Sequence, residues 1–315
     1  MTVMTARGGE SFSAAQLQSL KEVAQLTLHS VPQRLSGDDV AGLCSEAEIV
    51  GLTRRTVADV DAALIDALPR MRGLAVYATG YDWIDIEALR RRGVLSVLPD
   101  YSTQVVAEHT LGLMLSLSRR LHLSDRVVRG DLPSSTSLRG WELQGKTLGL
   151  VGLGRIGRAV AKLANAFGMR VIYFDIAQSQ QNDNRAEKVG FHDLLRQSDV
   201  VVLTCSKRRG AAAVIDAEAL AAMKPGAYLI NPSRSTLTDN AAVLRAITTK
   251  HLAGYGVDDN VFNAGQLSRV EPGRILQTGH SAWYSDEAIS RGTQIWVENL
   301  VALTCNRPMN LAPAE

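Results

Sequence analysis

An α/β fold built from two serial sets of βαβ units with parallel sheets is what this sequence predicts, on three observations. From about residue 45, short β-rich apolar runs alternate with amphipathic stretches, the pattern of βαβ units. A second series of the same kind begins near residue 147 and runs to "RILQTG". That second series opens on a glycine-rich turn, "GLGRIG", set between an apolar run and a helix-like stretch. With 315 residues the chain is long for a single core, so two domains are expected.

Taken in order, "EIVGL" is followed by "VADVDAALIDALPRM", "GLAVYA" by "DIEALRRRG", and "LSVLP" by "STQVVAEHTLGLMLSLSRRLH". Each apolar run has strand length, and each stretch after it can cross back as a helix. The segment 102–122 is apolar over much of its circumference and predicts a buried helix, either between domains or in a dimer. Polar and turn residues in "RGDLPSSTSLRGWELQG", 129–145, break the rhythm and read as a connection. The second series is "TLGLVGLG" and "RAVAKLANAFG", "RVIYFD", "DVVVLTC" and "AEALAAMKPG", "AYLINPS" and "NAAVLRAI", "AGYGVD", then "RILQTG". A final helix is expected over "DEAISRGTQIWVENLVALT". The opening strand of the first series is poorly defined, and residues 1–12 read as a candidate for disorder.

Composition narrows the function classes. Apolar residues at 46% and charged residues at 21% are ordinary for a soluble globular protein. A net charge of +2 gives no electrostatic case for nucleic acid or a membrane surface. "MTVMTARGGE" has no apolar core of a signal peptide, and no window approaches the ~18 apolar residues of a spanning helix. Cys44, Cys205 and Cys305 are odd in number, widely spaced and without CxxC or paired-His context. That argues against a disulfide framework or a metal site and for a reducing cytoplasm.

Gly152, Gly154 and Gly157 form G-x-G-x-x-G directly after an apolar strand and directly before a helix. The first glycine permits the tight turn, the second lets backbone approach a pyrophosphate, and the third allows close helix–strand packing. The helix start, at Arg155 and Ile156, presents N–H groups to the phosphates. Asp175 ends the next strand, 18 residues after Gly157, where a carboxylate accepts hydrogen bonds from ribose hydroxyls. Its charge repels a 2′-phosphate, and Ile176 and Ala177 offer no arginine to hold one, so NAD is the expected cofactor. The basic triplet Lys207–Arg208–Arg209 reads as a solvated loop.

The whole arrangement resembles the D-isomer-specific 2-hydroxyacid dehydrogenases. "ATGYDWIDIEALRRRGV" is similar to that family's "TGYDNID" segment, "YSTQVVAEHTLGLML" to its interdomain helix, and "LQGKTLGLVGLGRIG" to its cofactor turn. "MKPGAYLINPSRSTLTDNAAVL" is similar to the run "MKPGAxLINxxRGxLVDExAL". The resemblance implies two Rossmann-like or flavodoxin-like domains, with an NAD-binding domain (102–282) inserted into a discontinuous substrate domain (1–101 and 283–315). It also implies a homodimer and a small 2-hydroxy or 2-oxo acid as substrate.

Residue by residue, the resemblance places Arg234, in "NPSRS", at the family's carboxylate-binding arginine. Its planar fork suits bidentate recognition of a carboxylate. His280, in "TGHSA", matches the histidine of "TPHIA" and is the expected acid and base, a task suited to a group with an ordinary pKa near ~6.5. The family run "GAALDVFEPEP" supplies a glutamate that charges this histidine. Aligned from "AGYGVD", Asp258 matches the aspartate near the nicotinamide amide, and Asn263 falls at the glutamate. Asn263 is therefore expected to orient the imidazole without adding charge, and His280 to hold its proton less tightly than in glutamate-bearing relatives. Glu271 would need a change of register to serve.

Cys205 and Ser233 are expected beside the cofactor, and Thr79, Gly80 and Tyr81 at the substrate. Ser235 stands where the family has glycine, Gly279 where it has proline (a looser turn being expected there), and Trp83 where it has asparagine. Trp283 and Tyr284 resemble the "HAAWYS" run of the C-terminal binding protein branch; either Trp283 walls the substrate site, which implies a bulky or apolar 2-oxo acid, or the two rings pack the domain hinge. Two other readings stay open: an NAD(H)-sensing dimeric scaffold, and a catalytically weakened paralogue.

Overall fold

The computed structural model describes residues 1–177, 185–207 and 210–312. Of the basic triplet, Arg208 and Arg209 lie outside the described residues, and Lys207 donates to the Thr236 carbonyl. The chain divides into two compact units, 1–101 with 285–315, and 102–284. Trp283 and Tyr284 therefore belong to the second unit rather than the first.

The first unit is one five-stranded parallel sheet. Its strands are β1 (Thr2–Thr5), β2 (Thr27–Ser30), β3 (Ile49–Leu52), β4 (Gly73–Val76) and β5 (Val94–Ser96), in the order β2-β1-β3-β4-β5. Residues 1–12 are thus not disordered: "TVMT" is fully buried and pairs with both β2 and β3. Four residues are too few to show a period, which is why the strand is not legible in the sequence. One face of the sheet packs Met4, Val50, Leu52, Leu74 and Val76 against the helices Gly37–Cys44, Ala62–Asp66 and Ile86–Arg90. The other face is covered by the helices Ala14–Val23 and Asp286–Thr304. There the buried indole of Trp296 donates to the Ala75 carbonyl at 3.0 Å and stacks on Phe12. Beyond that helix, residues 309–312 run antiparallel along the β5 edge, with Val97 donating to Asn310 O and Ala312 to Leu95 O.

The second unit is a seven-stranded parallel sheet. Its strands are β6 (Thr147–Val151), β7 (Arg170–Phe174), β8 (Glu187–Lys188), β9 (Val200–Leu203), β10 (Ala227–Asn231), β11 (Leu252–Val257) and β12 (Ile275–Gln277). The order is β12-β11-β10-β9-β6-β7-β8, so the winding reverses between β6 and β9, where such sheets bind their ligands. Side chains of β9 alternate between two cores: Val200 and Val202 pack with Leu148 and Leu150, Val201 and Leu203 with Ile215 and Leu229. The expected buried helix is Thr103–Ser118, and its covering lies within the second unit. Val106, Ala107, Leu111, Leu113, Met114 and Leu117 are buried, and the helix packs on Arg155–Ala166 and on strands β10 and β11. The 129–145 connection carries Trp141, whose ring packs on Tyr228 with centroids 5.1 Å apart.

Candidate active site

At the reversal point, each glycine of the turn has its own reason. Gly152 has φ +98°, and a Cβ there would lie 2.9 Å from the backbone of Cys205. A Cβ on Gly157 would meet the Gly152 carbonyl oxygen at 2.5 Å, so only glycine lets the helix approach the strand. Gly154 differs: a Cβ would meet nothing within 4 Å, which leaves open space in front of the turn. The helix Arg155–Ala166 begins there with no side chain capping its first N–H groups. Open space, uncapped N–H groups and a positive helix end fit the pyrophosphate of a dinucleotide.

Asp175, one residue past β7, accepts the Leu153 amide on Oδ2 at 2.7 Å and the Ala177 amide on Oδ1 at 2.8 Å. The carboxylate is thereby fixed beside the turn, with lone pairs left for ribose hydroxyls. Burial pushes the Cys205 thiol up to about 11, so it is a packing group under the turn rather than a nucleophile. Replacing Gly152 by alanine is expected to lower the melting temperature and weaken dinucleotide affinity at least about tenfold, since a left-handed non-glycine backbone costs of order 1–3 kcal/mol. Differential scanning fluorimetry and a binding titration check both.

Arg234 is presented by a turn that its own strand builds. β10 ends in Asn231, 1% exposed, whose Oδ1 accepts the Ser233 amide at 3.1 Å and whose Nδ2 donates to the Arg234 carbonyl at 2.7 Å. Ser233 Oγ donates to Leu203 O at 2.8 Å and ties this turn to the end of β9, so its hydroxyl proton is used within the protein. Behind the turn the buried hydroxyls of Tyr255 and Thr238 meet at 3.2 Å. Ser235, in the family's glycine position, donates its hydroxyl to Asp259.

His280 follows β12 on a backbone that only a few residue types tolerate. Gly279 and His280 both have φ +62°, a value closed to proline, whose ring locks φ near about −65°. The turn is not loose. Asp258, 2% exposed, accepts Ser281 N (2.7 Å) and Thr278 Oγ (2.7 Å) on Oδ1 and Ala282 N (2.9 Å) on Oδ2. Its carboxylate, expected at the cofactor, therefore grips the turn that carries His280. Such over-determination is what holds a histidine in the left-handed region.

Two residues of this network, His109 and Thr278, were not singled out in the sequence. His109 Nε2 lies 2.9 Å from Thr278 Oγ and 3.8 Å from Asp258 Oδ1. Because the threonine gives its proton to Asp258, His109 must donate from Nε2. Burial lowers the His109 pKa from its ordinary 6.5, with Asp258 opposing, so the imidazole is neutral at pH 7. The available signal was a histidine set in an otherwise apolar helix, where a buried polar group demands a partner.

A depressed histidine value carries a sign. The unfolded chain binds the proton first, so the stability held by neutral His109 is full above about 6.5 and lost as pH falls through the lower folded value. His122 is lowered in the same direction, also chiefly by burial. His109→Gln, which keeps a donor, is expected to flatten part of the fall in Tm between pH 7 and pH 5, read from melting curves across that range.

The remaining expected partner of His280 is elsewhere engaged. Asn263 is the exposed N-cap of the short helix Ala264–Leu267, its Oδ1 accepting Gln266 N at 3.0 Å and Gln266 Oε1 returning the bond to Asn263 N. This capping box replaces the expected orienting role. Glu271 pairs with Arg274, which pulls its pKa down. Gln277, at the end of β12, holds the 258–262 segment by accepting the Val261 and Phe262 amides at 2.9 and 2.7 Å.

Trp283 and Tyr284 meet edge to face at 5.2 Å. In the first unit, Thr79, Gly80 and Tyr81 lie on the connection after β4, at the carboxyl edge of that sheet. Trp83 is buried there, and its indole donates to Gly80 O at 3.0 Å, closing the connection. Among the described residues, no cluster of three or more His, Cys, Asp or Glu is arranged to hold a metal, and no helix is long and apolar enough to cross a membrane.

Comparison with known proteins agrees with this geometry. Residues 111–280 match the model of the D-isomer specific 2-hydroxyacid dehydrogenase, NAD binding domain. A glyoxylate reductase of Thermofilum pendens is 34% identical over 256 residues, 78% of this chain and 75% of that protein. The TT0316 protein of Thermus thermophilus superposes with a TM-score of 0.86 at 30% identity, over 99% of this chain and 100% of that one. An acyclic imino acid reductase, solved with NADPH and D-Arg, has a TM-score of 0.87 at 25% identity over 99% of this chain and 100% of that one. The chain belongs to the D-isomer specific 2-hydroxyacid dehydrogenases, NAD-dependent oxidoreductases that interconvert 2-hydroxy and 2-oxo acids.

Proposed function

We propose that this enzyme works on a small 2-oxo acid of the glyoxylate type, with Arg234 gripping the carboxylate and His280 moving the proton at the C2 oxygen. The observation that supports it is topological: both residues lie just past the carboxyl ends of β10 and β12, strands separated only by β11 in one sheet. Two strand spacings amount to about 10 Å, a gap that an arginine and a histidine bridge around one small acid. The similarity to the glyoxylate reductase supports the substrate size. Bound NAD supplies the hydride acceptor in oxidation and, once reduced, the donor.

In reduction, the guanidinium fixes the acid by two parallel N–H···O bonds and polarises the C2 oxygen. His280 delivers its proton to that oxygen, and in oxidation it takes the proton back. Asp175 favours NADH over NADPH through its charge. The first unit serves as the substrate domain. The dimer belongs to this proposal and is supported by Leu121 and Val128, 54% and 85% exposed on the helix Leu121–Val128. A cytoplasmic setting fits the three free cysteines.

The test is oxidation of NADH, and separately of NADPH, against a panel of 2-oxo acids beginning with glyoxylate. Turnover with NADH that vanishes in Arg234→Ala supports the reading. If no acid turns over while NADH still changes the oligomeric state, the scaffold reading replaces it.

A further inference from the structure

We infer that Asp259 is a positioning residue for Arg234, and that it forms with Asp258 a two-carboxylate bracket fixing the arginine turn and the histidine turn to one another. The inference rests on the roles of Arg234 and His280 given above. β11 lies between β10 and β12, so the residues just past its end are flanked by both turns. Asp258 takes the β12 side, holding Thr278, Ser281 and Ala282. Asp259 takes the β10 side: its Oδ2 accepts the Ser235 hydroxyl and, at 3.4 Å, the Ser235 amide. Its Oδ1 accepts the Asn260 amide at 2.9 Å, which orients the carboxylate.

The segment between the two turns is held as well. The Asp258 amide donates to Asn231 O at 3.0 Å, and Gln277 pins the Val261 and Phe262 amides. Two hydrogen-bonded links joined by the 258–259 peptide therefore lead from the backbone of residue 235, next to Arg234, to that of residue 281, next to His280. Both partners on the β10 side depart from the family run: Ser235 stands for its glycine, and Asp259 for the valine of "LDVF". Each departure alone would leave a polar group without its partner in a half-buried place, and together they satisfy one another. Since Asn263 is spent on a helix cap, this bracket does the job of joining the two turns.

Steady-state kinetics with glyoxylate and NADH, together with NADH fluorescence titration and melting curves, test the bracket. Asp259→Val is expected to lower kcat/KM about tenfold, mostly through KM, with NADH affinity within about twofold, as for a displaced carboxylate grip. Asp259→Asn keeps an acceptor for Ser235 and should recover most of that loss. The pair Ser235→Gly with Asp259→Val removes the same link as Asp259→Val, so it should lose no more than about twofold beyond that single variant. An unchanged KM in Asp259→Val, an equal loss of NADH affinity, no recovery in Asp259→Asn, or additive losses in the double variant overturns the inference. Arg234→Ala run alongside separates the two levels: if it retains turnover, the reading of the site has failed; if it abolishes turnover while Asp259→Val is silent, only the bracket has.

Discussion

Replacing Arg234 by alanine is expected to lower kcat/KM for a 2-oxo acid by roughly three orders of magnitude, because losing one partner of a desolvated charge pair costs about 2–5 kcal/mol. NADH affinity should stay within about threefold, since the glycine turn follows β6, two strands from β10 and so about 10 Å away. The turn around residue 234 should largely survive the change, although it loses one bond, from Arg234 Nη1 to the Ser233 carbonyl at 3.1 Å. Asn231 holds it through the Ser233 amide and the Arg234 carbonyl, and neither bond involves the guanidinium. Arg234→Lys keeps the charge and loses the fork, so it should recover only part of the rate. Kinetics paired with NADH titration decide the matter, and a loss below about tenfold in the alanine variant would sink the assignment.

Asp258→Asn is expected to damage both stability and turnover. The carboxylate accepts two backbone amides and a hydroxyl, and an asparagine offers a single acceptor oxygen beside an NH2 group that repels the third donor. One buried donor is left unpaired, at a cost of about 1–3 kcal/mol, or a drop of several degrees in Tm for a unit of this size. His280 would also lose the contacts that keep its backbone at φ +62°, and kcat should fall about a hundredfold as the imidazole leaves its place. Melting curves and kcat read the two effects separately, and a normal kcat in a destabilised variant would mean that the turn holds His280 without Asp258.

What the sequence made legible follows from how local each signal is. The glycine turn, the strand before it and Asp175 lie within 29 residues, and each glycine has a steric reason that a motif can encode. Arg234 and His280 were found through runs that surround them. The partnerships were not legible, because they join distant positions: His109 with Thr278, Asp258 with Ser281, Ser235 with Asp259. Asn263 is instructive in another way. The family resemblance puts it at the glutamate that serves the histidine, yet Asn263 and Gln266, three apart, already spell a capping box, and local capping takes the side chain. Gly279 in place of the family's proline predicts a looser turn, whereas its positive φ is what lets the chain bring the Ser281 and Ala282 amides onto Asp258.

The helix Asp286–Thr304 and the tail beyond it also bear on biogenesis. On the ribosome, residues 102–284 emerge as a complete unit while the earlier sheet still lacks Trp296 over Ala75 and the strip along β5. The order of maturation is thus inverted relative to the order of synthesis: the part made first is the last to close, and its half-dressed apolar face is what a nascent-chain chaperone would meet.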